Sequence, residues 1–82
     1  MLNLLKNRHE IATAIDVYNF NIYVGLYSKY LLKYKQDQDK WVITEILKFD
    51  SPILAMQRGD IFGINQHMLV VLTINSIHVI ST

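Results

Sequence analysis

The chain has 82 residues, a formal net charge of +1 and no cysteine. This length predicts a single domain over residues 1–82, and the lack of cysteine excludes disulfides and thiolate metal sites. The near-zero net charge argues against nucleic-acid binding driven by bulk charge. Apolar residues make up 51% of the chain and charged residues 18%, a balance typical of a globular protein that buries surface in a partner.

The segment 8–18 carries two competing patterns. Asn7 and Glu10 have the spacing of a capping box, and apolar residues recur at helical spacing between Ile11 and Tyr18. The alternative is a strand, because alternate positions are apolar or β-branched: Ile11, Thr13, Ile15 and Val17. The alanines at 12 and 14 favour the helix, which is the prediction adopted for this segment.

Residues 21–35 and 40–49 predict a β-hairpin around the polar loop 36–39. Apolar side chains on one parity of each strand would meet on one face, with Tyr34 opposite Trp41 and Leu32 opposite Ile43. The residues of this predicted face are Ile22, Val24, Leu26, Ser28, Tyr30, Leu32, Tyr34, Trp41, Ile43, Glu45, Leu47 and Phe49.

The segment after the hairpin contains residues that commonly start and end a short helix. Ser51 can cap a helix, Pro52 suits a first helical position and Gly59 can end it, which predicts one or two helical turns over 52–58. A short edge strand through 53–56 is the alternative, since proline is tolerated at the first residue of a strand.

The last part of the chain is strongly β in character. Residues 61–62 suggest a short strand, 68–74 a longer one, and 77–80 a return strand after a turn at Asn75-Ser76. Four apolar residues follow one another from Leu69 to Leu72, which is typical of a strand covered on both faces or entering an interface.

Together these elements predict an α+β fold. It consists of an N-terminal helix and an antiparallel meander sheet of four to five strands, which could curl into a small barrel. An all-β fold is the alternative.

The second face of the hairpin is the best candidate binding surface. Its mixture of tyrosine, lysine and aliphatic side chains suits a protein interface, including one between two copies of the chain. Rings interleaved with lysines also suit single-stranded nucleic acid, which is the runner-up. The candidate residues are Tyr23, Tyr27, Lys29, Leu31, Lys33, Val42, Ile46 and Lys48.

No catalytic or metal-binding constellation is visible in the sequence. The three histidines lack metal-ligand spacing, and the predicted turn places His78 opposite Thr73 and away from any carboxylate. Glu45 is predicted on the apolar face opposite Tyr30, where burial could raise its pKa. No serine–histidine pattern or glycine-rich phosphate loop accompanies it.

The sequence therefore predicts a small non-catalytic protein of adaptor or inhibitor type, which acts through protein–protein contact and forms a homodimer. No cofactor, metal or small-molecule ligand is expected. No membrane segment is expected either, because the longest apolar run is too short to cross a bilayer. The expected location is the cytoplasm, which would be the host cytoplasm for a virus or mobile element.

Overall fold

The computed structural model describes residues 11–60, 63 and 65–81, and these form seven β-strands and no helix. The first four strands make one antiparallel sheet and the last three make another, each in chain order and without closure into a barrel. The strands are β1 (Ala12–Tyr18), β2 (Asn21–Leu26), β3 (Tyr30–Asp37), β4 (Lys40–Lys48), β5 (Ile53–Gly59), β6 (Met68–Thr73) and β7 (Ile77–Ser81). The α+β prediction and the barrel are therefore wrong, and the all-β alternative describes the chain.

The predicted N-terminal helix is wrong over its described part, because residues 12–18 form β1. This strand pairs antiparallel with β2, with Ile15 opposite Val24 and Val17 opposite Ile22. A ladder of backbone hydrogen bonds to an apolar neighbour outweighs the small helix preference of two alanines. The capping box and residues 8–10 lie outside the described residues.

The turn between β1 and β2 uses an unusual pair of residues. Asn19 and Phe20 both have positive φ angles, 53° and 65°, as in the tight turns that match strand twist. Asparagine tolerates this conformation, whereas a bulky aromatic residue is strained in it. The Phe20 side chain is nevertheless 86% exposed.

The predicted long strand over 21–35 is in fact two strands joined by a turn. Lys29 has a φ of 82°, and its amide donates a hydrogen bond to the Leu26 carbonyl (3.3 Å). The chain reverses there, so that β2 pairs with β3 and Val24 lies opposite Leu32. Because the turn contains three residues, the apolar parity continues unchanged from one strand into the next, and periodicity alone cannot show the break.

The hairpin of β3 and β4 exists, but its predicted register is wrong. Tyr34 lies opposite Ile43, not Trp41, and Asp37 pairs with Lys40. The loop therefore has two residues and not four. Gln38 adopts the positive φ (58°) that such a short loop requires.

A β-bulge at Thr44 changes the register again further along β4. Thr44 has no partner in the ladder, and its hydroxyl donates to the Lys33 carbonyl (3.3 Å). A bulge inserts one residue and thereby reverses which side chains point to which face. As a result Leu47 lies opposite Leu31 and faces the second sheet, and the single apolar face predicted for β4 does not form.

The helix predicted over 52–58 is also wrong, because β5 occupies this segment. Met56 pairs with Val71 and Arg58 with Leu69 in the ladder to β6. Pro52 precedes the strand, where its missing amide breaks no ladder bond. The strand suggested at 61–62 lies outside the described residues.

The hairpin predicted at the C-terminal end is confirmed as β6 and β7, with its turn one residue earlier than predicted. The amide of Thr73 donates to the carbonyl of Ser76 (2.9 Å), so the turn residues are Ile74 and Asn75. The ladder continues with Leu72 opposite Ile77.

The first sheet is apolar on both faces. The cluster on the face toward the second sheet has no member more than 3% exposed: Tyr23, Leu31, Ile53, Leu69 and Val71. The opposite face carries a second cluster: Ile22, Val24, Leu26, Leu32 and Tyr34. The described residues include no helix long and apolar enough to span a membrane.

The two sheets approach closely where β5 passes Gly25 of β2. A Cβ atom at Gly25 would lie 2.7 Å from Ile53 Cγ2 and 3.5 Å from Met56 Sδ. Ile53 is fully buried and its branched side chain has little freedom to move aside. The Thr13 hydroxyl adds a hydrogen bond to the Ile53 carbonyl, so β5 is held against both β1 and β2.

Leu32→Ala and Ile43→Ala separate the observed register from the predicted one. Leu32 is 3% exposed and Ile43 is 37% exposed, so we expect losses of about 2–4 and about 1 kcal/mol in the free energy of unfolding. Urea denaturation measures both values. Equal losses would support the predicted register, in which the two side chains face each other in the core.

Gly25→Ala tests the close approach of the two sheets. The added methyl group would collide with Ile53, and we expect a loss of about 1–3 kcal/mol in the free energy of unfolding. Gly59→Ala is the matched control, because a Cβ at Gly59 meets nothing within 4 Å. Thermal denaturation of both variants makes the comparison, and equal stability would contradict the contact.

Candidate functional site

The residues predicted to form one binding face are divided by the turn and the bulge of the first sheet. Tyr27 and Lys29 lie in the turn between β2 and β3. Ile46 and Lys48 lie on the face of the Ile22–Tyr34 cluster. The remaining four lie on the face directed toward the second sheet: Tyr23, Leu31, Lys33 and Val42.

Burial removes two further residues from the candidate binding face. Tyr23 and Leu31 are 3% and 2% exposed and belong to the core between the sheets, so neither presents a surface to a ligand. The members that remain exposed are Tyr27, Lys29, Val42, Ile46 and Lys48. The structure therefore does not bring the eight residues together on one surface.

An ion pair joins the two sheets at a position that the sequence did not indicate. Arg58 on β5 contacts Asp16 on β1 through Nη2 (2.6 Å) and Nε (3.0 Å), both to Oδ2. Their side chains are only 11% and 17% exposed. Two hydrogen bonds from one guanidinium fix the relative position of the two strands more firmly than a single contact would.

Aromatic rings surround the same guanidinium group. The Arg58 Cζ atom lies 4.0 Å from the ring centre of Tyr18 and 5.4 Å from that of Tyr23. The His67 ring lies 5.9 Å from the Tyr18 ring. Arg58 belongs to an Arg-Gly-Asp tripeptide, but its position is that of a β5 residue inside an inter-sheet cluster. Long-range packing of β1 against β5 creates this cluster, and no local pattern signals it.

A serine, a histidine and an aspartate meet at the end of the second sheet. The Ser76 hydroxyl lies 2.9 Å from His78 Nε2, and Asp50 Oδ1 lies 3.5 Å from that same nitrogen. The expectation that His78 lies away from any carboxylate is therefore wrong. The loop before β5 places Asp50 at this end of the second sheet, where its carboxylate contacts both Thr73 and His78.

This trio lacks the geometry of a catalytic relay. A relay requires the aspartate and the serine on different nitrogens of the imidazole, whereas here both contact Nε2. Ser76 also bonds Asp50 Oδ2 (3.4 Å), and Thr73 accepts the Ser76 amide (3.1 Å). The Phe49 ring packs edge-on against His78 at 4.8 Å. These contacts tie the loop before β5 to the β6–β7 turn.

The contacts around Asp50 change the pKa of its carboxyl group. Desolvation raises its pKa, but the hydrogen bond from its own backbone amide and the nearby His78 lower it by more. The net effect holds the pKa of Asp50 below its ordinary value, which favours the carboxylate form that accepts these hydrogen bonds.

Glu45 does not occupy the apolar position predicted for it. It pairs with Lys33 across the ladder, not with Tyr30, and its side chain is exposed. The bulge at Thr44 accounts for this change. Among residues 11–60, 63 and 65–81, no three histidine, cysteine or acidic side chains are grouped as metal ligands. His9 lies outside the described residues.

The outer face of the second sheet is an exposed apolar surface of the described chain. It contains two cross-strand rows, defined here as the outer face: Ala55, Leu72 and Ile77 in one, and Gln57, Val70 and Val79 in the other. No member is charged, and Leu72, Ile77 and Val79 are 40%, 67% and 45% exposed. A groove of about 280 Å³ runs along this face and is also lined by Met56.

These features define an all-β protein built from two packed antiparallel sheets, with an uncharged apolar face open to solvent. Residues 10–82 match the family described as KICSTOR complex protein kaptin, and the chain belongs to this family. The description names a component of a protein complex. No curated protein and no solved structure matches the chain.

Substitutions in the inter-sheet ion pair test its contribution. We expect Arg58→Met and Asp16→Asn each to lower the free energy of unfolding by about 1–3 kcal/mol, because the remaining group loses its partner in a largely buried site. The double variant should lose less than the sum of the two. Lys33 is the control residue, and its Nζ lies 5.8 Å from the centre of the Tyr23 ring. We expect Lys33→Met to change the free energy of unfolding by less than about 0.5 kcal/mol. Additive losses in urea denaturation would show that the pair is not coupled.

Proposed function

We propose that this chain is a non-catalytic subunit that acts through protein–protein contact within an assembly of the kind named for its family. The observation that carries the proposal is the outer face of the second sheet. A sheet in water normally alternates apolar and polar faces. Here the inner face packs on the first sheet, while both rows of the outer face lack charged side chains and include the exposed Leu72, Ile77 and Val79.

The partner that fits this face is another subunit of the complex that presents an uncharged, apolar surface. The centre of a protein interface is depleted of charged residues, and both rows of the outer face meet this condition at every position. A charged partner surface would lose hydration against Leu72 and Ile77 without gaining a counter-ion.

The proposal extends to the catalytic and cellular properties predicted from the sequence. The Ser76–His78–Asp50 contacts serve to hold a turn, which supports a role of adaptor or inhibitor type without catalysis. We place the protein in the cytoplasm and expect it to self-associate. The tyrosines and lysines considered for single-stranded nucleic acid do not form one continuous platform, so the geometry favours protein contact.

A binding measurement with Leu72→Asp tests the proposal. The biotinylated chain is immobilised, and the other subunits of the KICSTOR complex are applied as a purified assembly in biolayer interferometry. We expect the parent chain to bind and Leu72→Asp to raise the dissociation constant at least tenfold, because a carboxylate would be desolvated in the interface.

Ile46→Asp is the matched control, since Ile46 is 58% exposed on the first sheet and lies outside the outer face. We expect its dissociation constant to stay within twofold of the parent value. Absence of binding by the parent chain would refute the proposed function. Weakening by Ile46→Asp alone would place the contact on the first sheet and refute the assignment to the outer face.

A further inference from the structure

The turn between β1 and β2 places an aromatic residue where the backbone is strained. Phe20 is the second residue of this two-residue turn and has a φ of 65°. A β-carbon is crowded in this left-handed conformation, which glycine adopts at no steric cost. Hairpin turns with two positive φ angles therefore favour glycine at this position, whereas this chain has Asn19 followed by Phe20.

The Phe20 ring contributes almost nothing to the stability of the fold. Its side chain is 86% exposed, more than any other large apolar side chain of the described residues. A phenyl ring stabilises a fold by burying apolar area, and here almost none is buried. The turn would therefore be more stable with glycine at position 20, and the packing of this chain gives no reason for the ring.

Contacts at the base of the turn hold the ring in a defined position. Tyr18 pairs with Asn21 across the ladder, and Asn21 Nδ2 donates a hydrogen bond to the Asn19 carbonyl (3.2 Å). The Arg58 guanidinium lies over the Tyr18 ring and is itself bonded to Asp16. A side chain on a rigid hairpin loses less conformational entropy on binding than one on a mobile loop.

We propose that Phe20 is an anchor residue that inserts into an apolar pocket of another protein subunit. A few large side chains supply most of the binding free energy of an interface, and they fill desolvated pockets surrounded by weaker contacts. Phe20 has this setting, because the amide side chains of Asn19 and Asn21 flank it in the chain. Val17, at the same end of β1, adds further exposed apolar surface.

The chemistry of this hairpin end defines the pocket that fits it. Residues 17–22 contain no charged side chain, so a charged pocket would lose hydration without gaining a counter-ion. The fitting pocket is apolar in its depth and has hydrogen-bonding groups at its mouth for the two asparagines. A membrane fits less well, because stable attachment requires a second signal such as a basic patch, and residues 17–22 supply none.

The Phe20 contact is separate from the outer face of the second sheet, because β1 and β2 belong to the first sheet. It rests on the proposed function for its partner, which is the assembly of the other subunits. The chain would then contact this assembly at two places, through an apolar sheet face and through one inserted ring.

Substitutions at position 20 separate the ring from the backbone strain. Phe20→Ala removes the ring and keeps a β-carbon at the positive φ, so its melting temperature should stay within about 2 °C of the parent value. Phe20→Gly removes both the ring and the strain, and we expect its melting temperature to lie about 3 °C or more above that of Phe20→Ala. A Phe20→Gly variant that melts no higher than Phe20→Ala would overturn the strain at this turn.

The same variants test binding in biolayer interferometry against the purified assembly of the other KICSTOR subunits. Phe20→Ala and Phe20→Gly should each raise the dissociation constant at least tenfold, and Phe20→Leu, which keeps a large apolar side chain, by less than about fivefold. Tyr27→Ala is the matched control, because Tyr27 is also an exposed aromatic residue in a turn of the first sheet, and its dissociation constant should stay within twofold. Loss of folding cannot explain a variant that is more stable and binds more weakly.

The outcomes separate the anchor from the proposed function. A parent chain that binds the assembly, together with unchanged dissociation constants for Phe20→Ala and Phe20→Gly, would overturn the anchor alone. Absence of binding by the parent would refute both. Weakening by Phe20→Ala without any effect of Leu72→Asp would support the anchor and refute the assignment to the outer face.

A vesicle arm distinguishes a protein pocket from a membrane. The parent chain and Phe20→Ala are each sedimented with vesicles of phosphatidylcholine and phosphatidylserine, and we expect both to stay in the supernatant. Sedimentation of the parent with the vesicles, and its loss in Phe20→Ala, would overturn the protein pocket in favour of a lipid surface.

Discussion

The close approach of β5 to β2 at Gly25 is the contact on which the arrangement of the two sheets depends. Only a residue without a side chain lets Ile53 reach this point, and Ile53 is then fully enclosed. The Thr13 hydroxyl bonds the Ile53 carbonyl at this contact, and the Arg58–Asp16 ion pair holds the same strand further along. Hydrophobic packing supplies the free energy of association between the sheets, and these polar contacts fix their relative orientation.

Apolar side chains on both faces distinguish these sheets from the sheet of a simple two-layer protein. The first sheet carries one cluster on each side, and the second has a packed inner face and an open outer face. A sheet of this kind is stable in water only if something covers it or if its exposed area stays small. The chain belongs to a family named for a protein complex.

A group of polar contacts among the described residues joins two segments at one end of the second sheet. Asp50 and Ser76 both contact Nε2 of the His78 imidazole. These contacts join the loop before β5 to the β6–β7 turn. Desolvation raises the pKa of Asp50, but the hydrogen bond from its own backbone amide and the nearby His78 lower it below its ordinary value. Protein contact is therefore the use that the observed surfaces support best.

The local pattern of the sequence determined that residues 40–49 lie in a strand, that β6 and β7 form a hairpin, and that the run from Leu69 to Leu72 is apolar on both sides of its strand. Tertiary structure decided the rest. The three-residue turn at 27–29 keeps the apolar side chains at even positions, so the periodicity of the sequence does not show it. The bulge at Thr44 exchanges the two faces of β4, and no local sequence pattern indicates it. Residues 12–18 became a strand because β2 offered them a hydrogen-bonding edge, and residues 53–59 did so because β6 did. Such pairings depend on residues distant in the chain, and for this reason propensity and spacing identified neither β1 nor β5 as strands and did not give the register of the first sheet.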